Sequence, residues 1–145
     1  MKNKEIVEEL YRCYRQHDVE CFQYLCSPSI IWQQNSGFPG EGTHQGPEAV
    51  LNKVYKAFNI EWKNWTFVIE RILDAGDDIV VLGYFSGHKR DNGEYFKLAA
   101  SHIYSFRNNK VIKFQQFTNE QLATNEPLEA NEPVGAEPPV ELETS

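Results

Sequence analysis

One histidine in this sequence of 145 residues occupies a position at which an imidazole could transfer protons. The segment 94–107, EYFKLAASHIYSFR, is typical of a β-strand, in which successive side chains point to opposite faces. One face would carry the more apolar row, which is Phe96, Leu98, Ala100, His102, Tyr104 and Phe106. An imidazole exchanges protons near neutral pH, and partial burial would disfavour its charged form and make it a better base. His102 is therefore a candidate acid or base, although a hydrogen-bonded core histidine would show the same pattern.

Aromatic and amide side chains elsewhere in the chain could complete a binding site around this imidazole. Trp32, Tyr84 and Tyr104 could offer flat apolar contact together with a polar handle. Gln116 lies one strand period from Phe114 and could point to the same side as that ring. The alternative is that the rings fill a solid core and that the amide only ends its strand.

No metal or nucleotide motif accompanies these residues. The four histidines, at positions 17, 44, 88 and 102, lack a second ligand at the spacing that zinc sites use, so no metal is expected. The stretch 40–46, GEGTHQG, contains three glycines but matches neither the dinucleotide-binding pattern nor the P-loop. We therefore expect no cofactor, and we assign the glycines to the start of a helix.

The acidity of the chain is concentrated near its C-terminus. The net charge is −7, and residues 125–145 contain six glutamates and four prolines but no Lys, Arg or aromatic residue. Such a segment buries too little apolar surface to offset its ordering entropy, so a disordered tail is predicted. Residues 1–124 form the predicted domain, which is nearly neutral and has no basic patch for a phosphate backbone. No nucleic-acid partner is expected.

The chain also lacks the signals of membrane insertion and export. No run approaches the roughly 20 apolar residues of a membrane span, and the N-terminus lacks the apolar core of a signal peptide. We therefore expect no membrane partner and a cytoplasmic location. Cys13, Cys21 and Cys26 are odd in number and lack C-x-x-C spacing. In a reducing compartment they would be small, buried apolar side chains.

The periodicity of apolar residues predicts the elements that would position the candidate residues. Residues 3–16 have helical spacing, and Asp18 is a suitable N-cap for a second short helix. Gly46 and Pro47 suit the start of a third helix. Residues 29–34 and four segments between residues 66 and 118 are typical of strands. We predict an α+β fold in which a curved, mostly antiparallel sheet of about five strands wraps around three helices.

Several motifs together resemble those of a known family. They are HDVE at 17–20, SIIW at 29–32, the glycine-rich stretch ending in QGPEAV at 45–50, and ASHIYSFRNNKVIKF at 100–114. Over residues 4–122 the chain resembles the SnoaL-like polyketide cyclase group of the nuclear transport factor 2-like superfamily, which also includes the ketosteroid isomerases. The resemblance implies a cone-shaped α+β barrel with an apolar pocket at its open end, and a homodimer formed through the sheet.

The resemblance also implies roles for individual residues. SnoaL-like enzymes pair a histidine at the place of His102 with an aspartate after the last strand, and Asn119 occupies that place here. An amide does not exchange a proton near pH 7, but it can orient water or donate a hydrogen bond to an oxyanion. His44 would lie in the loop over the pocket mouth, where it would either touch a ligand or be an exposed loop histidine.

Comparison with the ketosteroid isomerases shows which of their catalytic residue types this chain lacks. Their general-base aspartate falls on Gln33, their oxyanion tyrosine on Leu10 and their protonated aspartic acid on His102. None of the three residue types is kept, so steroid isomerisation by that mechanism is not expected. Gln33 becomes instead a candidate for orienting a ligand.

Three functions are compatible with these observations. In the first, a small apolar or aromatic molecule binds in the pocket and undergoes a proton transfer of the isomerase, cyclase or hydratase type, with His102 as acid or base. In the second, the same pocket binds or carries such a molecule without a reaction. In the third, the chain is an assembly module that dimerises through its sheet and uses its acidic tail to recruit or repel partners.

Overall fold

The computed structural model describes residues 1–118. Helix α1 spans Asn3–Gln16 and α2 spans Val19–Leu25. A third helix, α3, is continuous, with an α-helical segment at Pro47–Val50, a π-helical segment at Leu51–Tyr55 and a second α-helical segment at Lys56–Glu61. The strands are β1 (Cys26–Gln34), β2 (Gly42–Gln45), β3 (Trp62–Asp74), β4 (Asp78–Lys89), β5 (Tyr95–Arg107) and β6 (Lys110–Thr118). The last residues of the predicted domain, 119–124, and the predicted tail, 125–145, lie outside the described residues.

The first two helices meet at the corner that the sequence predicted. Helix α1 has the predicted bounds and buries the face that carries Ile6, Val7, Leu10, Tyr11 and Cys13. It ends at His17, whose left-handed φ of 53° turns the chain. The backbone N–H of Cys21 donates to Asp18 Oδ1 at 3.1 Å, which confirms Asp18 as the N-cap of α2. None of the described helices is long and apolar enough to cross a membrane.

The same corner corrects the expectation for the cysteines. Cys13 and Cys21 form a disulfide that links α1 to α2, and Cys26 is buried and free. The two bonded positions have a sequence separation of 8, and the tight turn between the helices brings them together. The expectation that all three cysteines are small, buried apolar side chains is therefore wrong for Cys13 and Cys21.

The sheet has six strands in the order β2-β1-β6-β5-β4-β3, one more than predicted. All neighbouring strands are antiparallel except β1 and β6, which are parallel. The additional strand is β2, a short edge strand in which His44 pairs with Trp32 of β1. Its sequence, GTHQ, contains no apolar alternation, because the strand is held by its backbone hydrogen bonds to β1 and not by a buried face.

The glycine-rich stretch leads into α3, as expected. Gly46 adopts a φ of 89°, a region open mainly to glycine, and Pro47 occupies the first helical turn. Gly40, with a φ of 78°, lies so close to α3 that an added Cβ would be 2.8 Å from Val54 Cα. The stretch therefore packs against the helix that it begins.

The sheet curves so that one face encloses the helices. Strand β3 has register shifts between Lys63 and Thr66 and between Ile69 and Arg71, and such bulges increase twist and bending. The inner face of β5 is the predicted alternating row, all of it buried: Phe96, Leu98, Ala100, His102, Tyr104 and Phe106. The α+β prediction and the face assigned to His102 are thus confirmed.

Candidate functional site

A cavity of about 530 Å³ lies between the inner face of the sheet and helices α1 and α3. Its rim carries four exposed polar residues, which are Arg15, His17, Asn59 and Asn64. Its inner end is formed by buried residues of the sheet, which include Trp32, His102, Tyr104, Phe114 and Gln116. The cavity therefore runs from a polar opening to an enclosed, mostly aromatic interior.

The two helices supply tyrosines that line the cavity. Tyr11 and Tyr14 are three residues apart in α1 and therefore share the helix face that lies over the sheet. Tyr55 ends the π-helical segment of α3, and its ring centroid lies 5.0 Å from that of Tyr14. A π-helical segment shifts the helical phase of the residues after it, and such segments occur often at functional sites.

Hydrogen bonds join the imidazole to a chain of tyrosine hydroxyls. The Tyr11 hydroxyl lies 2.8 Å from His102 Nδ1 and accepts a hydrogen bond from the Tyr104 hydroxyl at 3.0 Å. The Tyr14 hydroxyl lies 3.4 Å from that of Tyr104. These contacts fix the orientation of the His102 ring, because its Nδ1 contacts Tyr11 and the Tyr11 hydroxyl is bonded in turn to Tyr104.

Stacked aromatic rings further restrict the rotation of the His102 imidazole. The His102 ring stacks on Phe67 with centroids 4.5 Å apart, and Phe67 in turn stacks on Tyr11 at 5.7 Å. On β1 and β6, Trp32 and Phe114 stack with centroids 3.7 Å apart. These flat surfaces border the cavity and suit a planar ligand.

The inner end of the cavity carries no charge at neutral pH. Burial lowers the pKa of His102 from 6.5 to about 3, and the neighbouring Gln116 amide opposes this effect to a smaller extent. Burial also raises the pKa of the hydroxyls of Tyr11, Tyr14, Tyr55 and Tyr104 well above their ordinary value. The imidazole and the phenols are therefore all neutral and act as hydrogen-bonding groups.

Two buried nitrogens at this end are without partners. Neither His102 Nε2 nor Gln116 Nε2 has a well-placed hydrogen-bond partner among residues 1–118, but the Gln116 side chain lies close enough to the imidazole to raise its pKa. The two residues face each other across β5 and β6, so their side chains lie on the same side of the sheet. Both nitrogens are enclosed by the protein, and a buried water or a turned Gln116 amide would satisfy them.

Four of the predicted site residues line this cavity, which are His102, Trp32, Tyr104 and Gln116. Gln33 and Tyr84 do not line it, which corrects both assignments. Gln33 points to the outer face, where Gln115 Nε2 donates to its Oε1 at 3.2 Å. Tyr84 lies beside the inward-facing Phe85 and carries Lys97 Nζ 4.2 Å from its ring centroid. Adjacent strand residues point to opposite faces, so neither side chain reaches the cavity.

Of the remaining two predicted residues, His44 does not line the cavity. His44 lies in strand β2 and not in a loop over the mouth, and its Nε2 is 2.7 Å from the backbone oxygen of Gly40. Asn119 lies outside the described residues. The expected second polar partner of His102 after the last strand is thus not placed, and Gln116 is the residue of β6 that faces the imidazole.

Sequence reasoning missed Tyr11 and Gln34. Gln34 lines the cavity, receives a hydrogen bond from Trp32 Nε1 at 3.0 Å and donates to the Pro39 oxygen at 3.2 Å. Strand alternation from Trp32 would have selected it in place of Gln33. The comparison with the ketosteroid isomerases assigned the oxyanion tyrosine to Leu10, which is fully buried, whereas the neighbouring Tyr11 faces the cavity.

Among the described residues, no carboxylate lines this cavity. Nor do residues 1–118 gather three or more His, Cys, Asp or Glu side chains that could hold a metal ion. At the inner end of the cavity, the described groups that could take part in chemistry include a neutral imidazole, phenols and an amide. Such groups donate and accept hydrogen bonds, and the imidazole can also exchange a proton.

Comparisons with known proteins agree with this architecture. A family model described as a SnoaL-like domain matches residues 7–114, whereas no curated protein matches the chain significantly. A solved NTF2-like protein from Burkholderia thailandensis is 28% identical, with 92% of this chain and 100% of that chain covered and a TM-score of 0.80.

Two further solved structures show the same fold at lower identity. TerC, co-crystallised with polyporic acid, is 18% identical, with 85% of this chain and 98% of that chain covered and a TM-score of 0.73. A putative SnoaL-like polyketide cyclase from Jannaschia sp. CCS1 is 17% identical, with 86% and 93% covered and a TM-score of 0.68. With three helices and a curved, mostly antiparallel sheet of the NTF2-like kind, this chain belongs to the SnoaL-like domain family.

Proposed function

We propose that the chain binds a small apolar or aromatic molecule in its cavity and catalyses a proton transfer of the isomerase, cyclase or hydratase type. The observation that carries this proposal is the buried, neutral imidazole of His102, which lines the cavity and whose Nδ1 lies 2.8 Å from the Tyr11 hydroxyl. An imidazole that is fixed in orientation beside a bound molecule can exchange a proton with it, and a ligand that brings the pKa of the ring nearer to the operating pH would make that exchange efficient.

The size and lining of the cavity support a small organic ligand. Its volume of about 530 Å³ lies within the range of roughly 300–1,000 Å³ that is usual for ligand pockets. Aromatic rings from α1, α3 and five strands surround a few polar atoms, which is the composition typical of such pockets. The fold relatives add support, since TerC has been co-crystallised with polyporic acid and another is a putative polyketide cyclase.

A non-catalytic binder or carrier of the same ligand class is the second candidate. It is favoured by the absence of any carboxylate among the described residues that line the cavity. Two-group acid–base chemistry would then have to use His102 with an amide or a phenol, and these groups are poor proton acceptors at neutral pH.

The experiment that separates these candidates is a turnover screen with the wild type and two variants. Enones, epoxides and polyketide-like ketones would be offered to the wild type, to His102→Gln and to His44→Gln. Loss of an acid–base group typically costs about 10²- to 10⁴-fold in rate, so His102→Gln should lose at least about 100-fold in kcat. His44→Gln should retain the wild-type rate, because His44 bonds to Gly40 outside the cavity.

Two outcomes would contradict the catalytic proposal. Tight binding by the wild type without turnover would support the carrier. Equal rates in the wild type and His102→Gln would remove the role of this imidazole while leaving the cavity as a binding site.

We further propose that the curved sheet closes into the cone expected of this family and that two copies associate through its outer face. Half-buried apolar side chains on that face support this, namely Ile31, Val80, Leu82 and Ile103. An assembly role for the acidic segment 125–145 remains a third proposal. It is tested by truncating the chain after residue 124, which should change complex formation and leave ligand binding unchanged.

A further inference from the structure

We propose that the ligand of the cavity carries an apolar chain, and that this chain binds in a second site, the groove between α2 and α3. The groove is a depression of about 390 Å³ beside the cavity. This inference rests on the proposed function, because it describes a further part of the same ligand. Helix α2 contributes no residue to the described lining of the cavity, so the groove gives this helix a part in binding.

One face of each helix forms a wall of the groove. Residues three and four positions apart share a helix face, and the lining has this spacing in both helices: Val19, Phe22 and Gln23 in α2, and Leu51, Asn52 and Lys56 in α3. Phe22 is buried and Leu51 is half-buried, which gives the groove an apolar floor. Val19 is 48% exposed although its side chain is apolar. A chain in the groove would remove this apolar surface from water.

The groove and the cavity open side by side. Several described residues line both, namely Tyr14, His17, Tyr55, Asn59 and Trp65. His17 and Asn59 are exposed, so they lie at both openings. Tyr14 and Tyr55 are half-buried, with ring centroids 5.0 Å apart, and these two rings form the partition between the two spaces. A ligand whose aromatic part fills the cavity therefore has to extend only past this pair of rings to enter the groove.

The partition between the two spaces is thin. Phe22 lines the groove and not the cavity, whereas Trp32 lines the cavity and not the groove. Their ring centroids are nevertheless only 6.0 Å apart. This spacing is that of a single contact between aromatic rings, so one ligand of ordinary size can occupy both spaces.

The charges around the groove favour an uncharged chain. Its rim carries Glu48 and Lys56, which are both exposed and have opposite signs, so neither sign of ligand charge is attracted strongly. The carboxylate of Asp18 also lines the groove, but it caps α2 and lies 3.9 Å from Arg12 Nη2. An alkyl chain would gain free energy by burial on the apolar floor, whereas a charged group would lose hydration there.

The first test measures the affinity gained for each methylene of a chain. Binding of 2-methoxynaphthalene, 2-butoxynaphthalene and 2-hexyloxynaphthalene would be measured by equilibrium dialysis, since the three ethers share one aromatic part. We expect the wild type to gain about two- to fourfold in affinity for each added methylene. Asn52→Trp places a large ring in the groove. This variant should lose the gain and keep the wild-type affinity for 2-methoxynaphthalene, because Asn52 does not line the cavity.

The second test locates the chain directly. Protein labelled with carbon-13 in its valine and leucine methyl groups would be saturated with 2-hexyloxynaphthalene, and nuclear Overhauser contacts to the terminal methyl of the chain would be recorded. We expect contacts to Val19 and Leu51, which line the groove and not the cavity. The spectra of Val19→Ala and Leu51→Met identify the two signals. A bound ether that contacts neither residue would overturn the inference.

The matched control is Lys53→Trp at the next position of α3. Lys53 is exposed and lines neither the groove nor the cavity, so its variant should keep the wild-type gain for each methylene. Equal gains in the wild type and Asn52→Trp would overturn this inference and leave the proposed function standing, as would equal binding of the three ethers by the wild type. If none of the ethers bound to the wild type, the aromatic-ligand proposal would fail and the inference would fail with it.

Discussion

At the scale of single residues, the environment of His102 decides what its imidazole can do. The ring is enclosed by Phe67, Phe114 and the phenol of Tyr11, so the protonated form would lose its hydration without gaining a counter-charge. The resulting pKa of about 3 keeps the ring neutral throughout the physiological range. A neutral ring can donate from one nitrogen and accept at the other, which an imidazolium ion does not do.

The lowered pKa of His102 predicts a specific dependence of stability on pH. The folded-state pKa of about 3 is below the ordinary 6.5, so the unfolded chain binds more protons between these values. The stabilising effect of the neutral ring is complete above pH 6.5 and is lost as the pH falls toward 3. Between pH 6.5 and pH 4, the wild type should lose about 2–3 kcal/mol more unfolding free energy than His102→Phe.

Urea denaturation at several pH values would measure this difference. Tyr104→Phe is the matched control, because it removes a buried hydroxyl of the same cluster and keeps the imidazole. That variant should be less stable than the wild type at every pH but should show the same slope with pH. Parallel curves for the wild type and His102→Phe would contradict the burial argument.

At the scale of elements, the corner between α1 and α2 holds the cavity wall in place. Helix α1 carries Tyr11 and Tyr14, and its end is tied to α2 by the Asp18 cap and by the disulfide between Cys13 and Cys21. The sequence predicted the helix bounds and the cap, because both depend on local spacing and on the side chain of one residue. It did not predict the disulfide, since the pairing depends on how the turn brings the two helices together.

Removal of the Asp18 cap should destabilise the fold measurably. Asp18→Ala leaves the Cys21 backbone N–H without its acceptor, and we expect a loss of about 1 kcal/mol in unfolding free energy. Asp18→Asn is the control, because its side-chain oxygen can still accept this hydrogen bond. Chemical denaturation of the three proteins would measure the effect. An alanine variant as stable as the wild type would mean that the cap contributes nothing.

At the scale of the whole molecule, the curvature of the sheet gives its two faces different surroundings. The inner face surrounds the cavity, and the outer face presents half-buried apolar side chains in the middle of the sheet, among them Ile103 and its neighbour Val80. A face of this kind is suited to burial against a second copy, which is the arrangement proposed above.

A charge placed at the centre of the outer face should therefore separate the two copies. We expect Ile103→Lys to shift the proposed dimer to monomer, because a lysine in an apolar interface would be desolvated without a partner. Sedimentation velocity over a range of protein concentrations would measure the change. Glu8→Lys, on the exposed side of α1, changes charge without touching the sheet and should leave the dimer intact. A wild type that sediments as a monomer at every concentration would contradict the proposal.

The sequence by itself determined the α+β class, the bounds of α1 and the inward face of β5. Each of these depends on a regular local spacing of apolar residues. The structure agrees with that spacing because the apolar residues are the ones that fold inward and are buried. The phase of β1 was ambiguous, because Ile30, Ile31 and Trp32 are consecutive apolar residues. Gln33 became a candidate through the comparison with the ketosteroid isomerases, whereas the folded strand turns Gln33 outward and Gln34 inward. Strand β2 was missed because it buries no apolar row of its own.

Only the tertiary structure decided which groups meet in the cavity. Tyr11 and His102 are 91 residues apart in the chain, and their hydrogen bond follows from the packing of α1 against the inner face of the sheet. Likewise, Gln116 faces His102 only because of the register between β5 and β6. Contacts between distant segments have no signature in local spacing. The protonation of the imidazole depends on those contacts and on burial, so the chemistry of the site emerges only when the chain is folded.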